Sequence, residues 1–324
     1  MRATFAGVLG LGALAVAIGC EGVTNVLEDK AQQVAEKLAD DPSATASSPA
    51  PTEDELLTRK LRLYVECHGR ATERIRSSWQ RYAERIDDDG TLRKKGTTPF
   101  LYKIDTELAP CEDAARRGPT MRPPRPAIES AMADYVEHGR TFAGLSVELD
   151  SYFERKLYQE DDWAKSKQLA PGFRLAFEAW SKAAATLDRE LGIHLDRLDR
   201  SRLAALERSG GQTLEWHARL LTLEARAFMR CASAEDVDAE ACRKRQATLA
   251  EADAGFRRVY GTDPRAAEVF WMDSFHESTA TYVERTGEVL DALDEGPLSP
   301  EALRPVERAH TAVVSDSNNL RFDR

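Results

Sequence analysis

From residue 53 onward, apolar residues recur every three or four positions, and that spacing admits one kind of secondary structure. The longest such series is Phe173, Phe177, Trp180, Ala184, Leu187, Leu191, His194, Leu198 and Ala205. A buried stripe on a helix needs a period near 3.6, whereas a half-buried strand needs a period of two. No segment alternates with a period of two over a useful length, and no fixed-period repeat marks a solenoid. The expected fold is all-α, a bundle of long antiparallel helices joined by short connections. A chain of 324 residues with 31% charged and only 7% aromatic residues has the composition for it.

The punctuation between stripes sets the predicted helices. Thr52 and Glu55 form a capping box ahead of a helix over 53–86, whose stripe holds Leu57, Leu61, Tyr64, Ala71, Ile75, Trp79, Tyr82 and Ile86. Asp87-Asp88-Asp89-Gly90 stops it. A shorter helix is predicted over 100–117 on Leu101, Ile104, Leu108 and Cys111, before a proline-rich connection, GPTMRPPRP, that cannot be helical. Pro126 suits the first turn of a third helix reaching about Tyr158. An acidic elbow follows, and the longest stripe is expected to begin at Pro171-Gly172 and to break or kink at Ser209-Gly210-Gly211. Later helices are predicted over 214–231 and 239–260. Another opens at Asp263-Pro264 and carries Val269, Phe270, Ala280, Val283 and Leu290, and a last one opens at Ser299-Pro300-Glu301.

Residues 1–19 read as an export signal: one early cation, Arg2, then an apolar run from Phe5 to Ile18 too short to span a bilayer comfortably. Ala17-Ile18-Gly19-Cys20 looks like a lipobox, which makes Cys20 the lipidated first residue of the mature chain. The alternative is an ordinary secretory signal with a chance cysteine. Each buried methylene of an acyl chain contributes about 0.8 kcal/mol, so several chains, palmitate among them, would hold the protein at a membrane. Residues 20–52 comprise that cysteine, a weakly amphipathic helix on Val26, Val34 and Leu38, and a Ser/Pro/Ala stretch expected to be a flexible tether. Residue 21 is Glu rather than the Asp that retains lipoproteins at the inner membrane. The expected location is the bacterial outer membrane, facing the periplasm, with the cell surface as the alternative.

With Cys20 assigned to lipid, Cys67, Cys111, Cys231 and Cys242 remain, an even number that in an exported chain reads as two disulfides. Four thiols allow three pairings. Cys231 and Cys242 bracket a polar segment between two stripes and suit a hairpin staple; the other two would then join the first helix to the second. The short closure is worth about 3 kcal/mol and the long one about 4 kcal/mol on the loop-entropy account.

Tyr152, Phe153, Lys156, Tyr158, Asp161, Asp162, Ala164, Lys165, Lys167, Leu169, Leu175, Ala176 and Phe177 form a pattern at the elbow. It resembles the centre of the DUF3829, or YiiG-like, family of bacterial lipoproteins. The resemblance covers roughly Lys60 to the C-terminus and implies a DUF3829-like helical domain over 53–324. It implies no activity, because the family has none established.

Catalytic and metal signatures are mostly missing. Glu307 and His310 make one Glu-x-x-His half-motif without its second copy, and His276-Glu277 lacks the second histidine of a zinc signature. His194, His276 and His310 fall on apolar stripes, where packing explains them. No nucleophile elbow or phosphate-cradling glycine loop occurs. The expectation is no catalytic residue, no metal and no cofactor. Glu160, Asp161 and Asp162 are expected to cap a short helix starting near Trp163, and Lys165 and Lys167 to pair with nearby acids. The functional alternative is a ligand groove on Tyr158, Asp161, Asp162, Trp163 and Lys167. Arg116, Arg117, Arg122 and Arg125 cluster at the proline-rich connection, most simply as a solvated link. A net charge of −10 argues against a nucleic-acid partner. The function expected is a non-enzymatic, membrane-anchored envelope module that binds or assembles an unidentified protein or polymer; the alternative is a periplasmic carrier of a small ligand or metal.

Overall fold

The structure is a computed structural model and describes residues 50–93, 97–234 and 236–322. The expected signal peptide, Cys20 and most of the tether therefore lie outside the described residues. Among the described residues there are nine helices and no strand; one isolated antiparallel bridge links Ile86 to Leu92. These residues divide into two compact units, 50–204 and 205–322, within the span expected to form the helical domain.

In unit 50–204, helix α1 spans Glu53–Arg85. Its capping box is complete: Thr52 N–H donates to Glu55 Oε2 (2.7 Å) and Glu55 N–H donates to Thr52 Oγ1 (3.2 Å). The stripe read from the sequence is buried at Leu57, Leu61, Tyr64, Ala71 and Ile75. At the turn that ends α1, Gly90 has φ +85°, and a Cβ there would sit 2.7 Å from backbone atoms of Ser166 and Lys167. The Ser166 hydroxyl donates to Gly90 O (2.6 Å), which fastens this turn to a segment 76 residues later.

Helix α2 spans Asp105–Arg117, so the expected start at residue 100 is corrected. Leu101 and Ile104 are buried, but in a non-helical segment: Leu101 N–H donates to Asp150 Oδ1 and Tyr102 N–H donates to Ser78 Oγ, both 2.9 Å. Both bonds tie the segment to residues far away in the sequence, a hold that local apolar spacing does not reveal. A disulfide joins Cys67 of α1 to Cys111 of α2. Gly118–Thr120 forms a 3-10 turn within the connection expected to be wholly irregular.

Helix α3 spans Pro126–Glu154, stopping short of Tyr158. It closes in a Schellman arrangement: Lys156 N–H donates to Phe153 O and Leu157 N–H to Tyr152 O, with Lys156 itself left-handed at φ 56°. After the four-residue helix α4, Tyr158–Asp161, helix α5 runs unbroken over Ala164–Gly210. The expected start at Pro171-Gly172 is therefore corrected. Pro171 lies on the exposed face, where the carbonyl that loses its partner can meet water, while Ser166, Ala170, Phe173 and Ala176 are buried on both sides of it. Large rings fill the space between α1, α3 and α5: Trp79 stacks on Phe177 and Phe142 on Phe173, each at 4.5 Å. The far end of α5 meets the start of α1, where Ser201 Oγ donates to Asp54 Oδ2 (2.5 Å) and Arg197 lies 3.6 Å from Glu53.

In unit 205–322, helices α6 (Leu214–Ala232), α7 (Ala239–Tyr260), α8 (Met272–Glu295) and α9 (Pro300–Asn319) pack consecutively, and α9 also meets α6. Leu221, Phe228, Leu249, Phe256, Phe275 and Val306 lie in its core. A disulfide joins Cys231 to Cys242 across the α6–α7 turn. Asp263 caps a 3-10 turn, Pro264–Ala267, and α8 begins only at Met272, which corrects the placing of Val269 and Phe270 in that helix. Phe270 is 61% exposed, so no burial holds it in helical register.

Candidate functional site

The five residues proposed from sequence as a groove do come together, at the elbow between α3 and α5. The Tyr158 and Trp163 rings stack at 4.5 Å, and both are half-buried. Asp161 is turned inward: its Oδ1 accepts from the Tyr152 hydroxyl (2.6 Å) and its Oδ2 from Lys165 N–H (3.1 Å), so it caps α5. The hydrogen bond from Tyr152 holds the Asp161 carboxyl below its usual range, and burial, then Asp161, pushes the Tyr152 phenol up. Lys167 Nζ donates to the carbonyl of Asp162, and Lys165 pairs with Glu148 at 2.8 Å. Asp162 and Trp163 are successive left-handed residues at φ 50° and 67°. Such backbone costs about 1–3 kcal/mol per residue and gathers where a local geometry is held for a purpose. Here it reverses the chain sharply enough to lay Trp163 on Tyr158.

A second polar assembly was invisible in the apolar pattern. On α1, His68, Thr72 and Arg76 repeat at intervals of four, one above another on a single helix face. Tyr135 comes to them from α3 and Trp180 and Asp188 from α5. Tyr135 and Thr72 share a hydroxyl–hydroxyl hydrogen bond of 3.0 Å, and the His68 and Tyr135 rings lie 5.4 Å apart. His68 Nε2 is 3.3 Å from Asp188 Oδ1, an ion-pair distance, although neither atom completes a hydrogen bond in this orientation. Burial, then the charge of Arg76, drives His68 down to about 3. Burial raises Asp188 to about 7 against the opposing pull of Arg76. A carboxyl titrating near neutrality beside a neutral imidazole has the makings of an acid–base pair. The side chains are only 5% and 15% exposed, so a substrate would reach them only if α1 and α5 separated.

A third polar contact holds the proline-rich connection. Lys60, fully buried, donates to the carbonyls of Met121 (3.3 Å) and Pro123 (3.0 Å) and to Glu129. Burial alone would push Glu129 up, but the hydrogen bonds from Lys60 and from Arg125 N–H outweigh it and hold the carboxyl below its usual range. Of the nearby arginines, Arg116 and Arg117 both pair with Asp113, Arg125 pairs with Glu53, and Arg122 is exposed.

The three histidines separate in kind. His194 is half-buried, His276 stacks on Tyr260 at 4.4 Å, and His310 is 1% exposed, held near 3 by burial and by Arg226 and Arg230. Among the described residues no group of three or more His, Cys, Asp or Glu is arranged to hold a metal ion. No helix among them is long and apolar enough to cross a membrane.

A family model described as a protein of unknown function, DUF3829, matches residues 55–285. The chain belongs to the DUF3829 family. The match takes in the elbow, the Lys60 contact and the His68–Asp188 assembly, and ends before His310. A similar protein is the one described as uncharacterized protein YiiG of Escherichia coli strain K12, 23% identical over 208 residues. The alignment covers 63% of this DUF3829 chain and 59% of the relative's length, under two thirds of the latter. No solved structure matches significantly.

Proposed function

We propose that this DUF3829 protein is a lipid-anchored module of the bacterial envelope, held at the outer membrane by Cys20, that binds or assembles another envelope component without turning it over. The observation that carries this reading is the apolar run ending at Ala17-Ile18-Gly19-Cys20, followed by a Ser/Pro/Ala stretch before the first capped helix at Thr52. Lipid at one end and two packed helical units at the other suit a protein that presents a surface. The elbow supports it too, since its acid Asp161 is engaged as a helix cap. Cys20→Ala should move the protein from the membrane to the soluble fraction; unchanged fractionation sinks the anchor. Turnover of peptidoglycan or a peptide by the purified protein, lost on substitution of Asp161 or Asp188, would sink the non-enzymatic half.

A second reading, a carrier of a small ligand, is favoured by the half-buried Tyr158–Trp163 stack on its two left-handed residues. Native mass spectrometry of protein made in its own envelope separates the two: a stoichiometric adduct lost in Trp163→Ala favours the carrier.

A further inference from the structure

Phe270 and Trp271 stand on the surface of unit 205–322, 61% and 43% exposed, with their rings edge to face at 5.8 Å. Large aromatic side chains gain most from burial, so two neighbours left in water are a feature to be explained. The backbone beneath them sharpens the point. Trp271 sits at φ 69°, a conformation that glycine or asparagine adopts readily and a bulky residue rarely. It is also the N-cap of α8 and offers no side-chain cap. On local grounds alone Gly, Asn or Asp serves better there, so the tryptophan is held for its ring. Its placement is firm, because Met272 and Phe275 directly after it are 1% and 0% exposed and its own carbonyl accepts from Phe275 N–H at 2.9 Å.

Beyond Arg257 and Arg258, which close α7, the charges along the chain flanking the pair are mostly acidic. Between residues 263 and 277 stand Asp263, Glu268, Asp273 and Glu277 against a single guanidinium, Arg265, which is paired with Asp263 at 2.7 Å. Glu268, Asp273 and Glu277 are exposed. That rim repels an anionic bilayer surface. It also repels a second copy of this chain, since a two-fold contact sets the same patch against itself, acid against acid. What complements it is an apolar recess bordered by lysine and arginine.

We propose that Phe270 and Trp271 are the aromatic anchors of a docking surface for a partner protein that presents an apolar recess with a basic rim. This rests on the binding-module reading above and names the surface that such a module uses.

The test is photo-cross-linking in the native envelope, with Phe270 replaced by the photo-reactive analogue p-benzoylphenylalanine and the full chain otherwise intact. The expected adduct joins position 270 to an apolar residue of another protein with Lys or Arg within a few ångströms. Trp271→Ala should lower its yield roughly tenfold or more, as truncation of an anchor does, and Glu268→Lys combined with Glu277→Lys should lower it as well. Circular dichroism and intact Cys231–Cys242 linkage check that these variants fold. Adducts to lipid, to this chain's own N-terminal segment or to a second copy overturn the inference, as do an acidic contact site and no adduct at all. The same label at Leu175, 64% exposed on α5, separates the two proposals. A partner caught there and not at position 270 overturns this surface while the binding-module reading stands.

Discussion

Replacing Lys60 by methionine isolates the contact that holds the proline-rich connection. Methionine keeps most of the unbranched stem, so packing changes little, and what goes is the ammonium group. The carbonyls of Met121 and Pro123 then lose their donor, and Glu129, whose side chain is 15% exposed, keeps only the N–H of Arg125 at 2.8 Å. A buried acceptor left unpaired costs about 1–3 kcal/mol. Breaking a buried ion pair by removing one partner costs about 3–5 kcal/mol. The glutamate retains some water and one hydrogen bond, so Lys60→Met should destabilise unit 50–204 by about 3 kcal/mol. With a urea slope near 2 kcal/mol per molar, the midpoint falls by about 1.5 M. Hydrogen exchange should place the loss in α1 and the start of α3. Adding Glu129→Gln should recover about 1–2 kcal/mol, because the second change removes the charge that the first left stranded. A loss below about 1 kcal/mol, or strict additivity of the two substitutions, would refute the claim that this pair secures the connection.

Asp188→Asn tests the buried acid–imidazole pair. Raised from 3.8 to about 7, the Asp188 carboxyl keeps a proton in the folded state that the unfolded chain has released, so its contribution to stability falls as pH rises from about 4 to 7. The asparagine variant should therefore be the more stable above pH 7, by up to about 4 kcal/mol for a shift of some three units, with the gap closing toward pH 4 in urea titrations; a gap independent of pH counts against it. His68 has the opposite sign. Lowered from 6.5 to about 3, it withdraws stability as pH falls through that window, and His68→Gln should flatten the acid limb of the same curve. Gly118→Ala should cost about 2–3 kcal/mol, read as a lower Tm, because its Cβ would lie 1.7 Å from the Tyr64 hydroxyl oxygen. Non-reducing peptide mapping should recover Cys67 linked to Cys111 and Cys231 linked to Cys242; free thiols at any of the four would defeat the pairing.

How much of this was legible in the sequence depends on which physical signal each feature leaves. Caps were readable, because Thr52, Asp263 and Ser299 act on amides two or three residues away. The α1 stripe was readable for the same reason, being a local periodicity. The segment 100–104 misled because Leu101 and Ile104 have helical spacing and are buried, yet the N–H groups of Leu101 and Tyr102 are held by Asp150 and Ser78, which are distant in sequence. Pro171 misled because its cost depends on which face of the helix it occupies. At the candidate sites, the elbow was found from residue types, and of its three acids Asp161 accepts from an amide of the first turn of α5. Lys60 and the His68, Thr72 and Arg76 series went unseen: polar residues on a helix look solvent-facing until the partners that desolvate them, Glu129 and Asp188, are known. An interval of four running through three polar residues inside an apolar stripe was the available clue.

The contacts that close unit 50–204 also impose an order of assembly. Chains leave the ribosome N-terminus first, so α1 emerges well before its partners. The hydrogen bond of Asp54 waits for Ser201, 147 residues later, and the Gly90 turn waits for Ser166. α2 and α3 can cover part of α1 earlier, and the Cys67–Cys111 disulfide ties α1 to α2, but these two fastenings form only once α5 is in place. A chain cut before residue 201 would leave the start of α1 without the Ser201 contact for good.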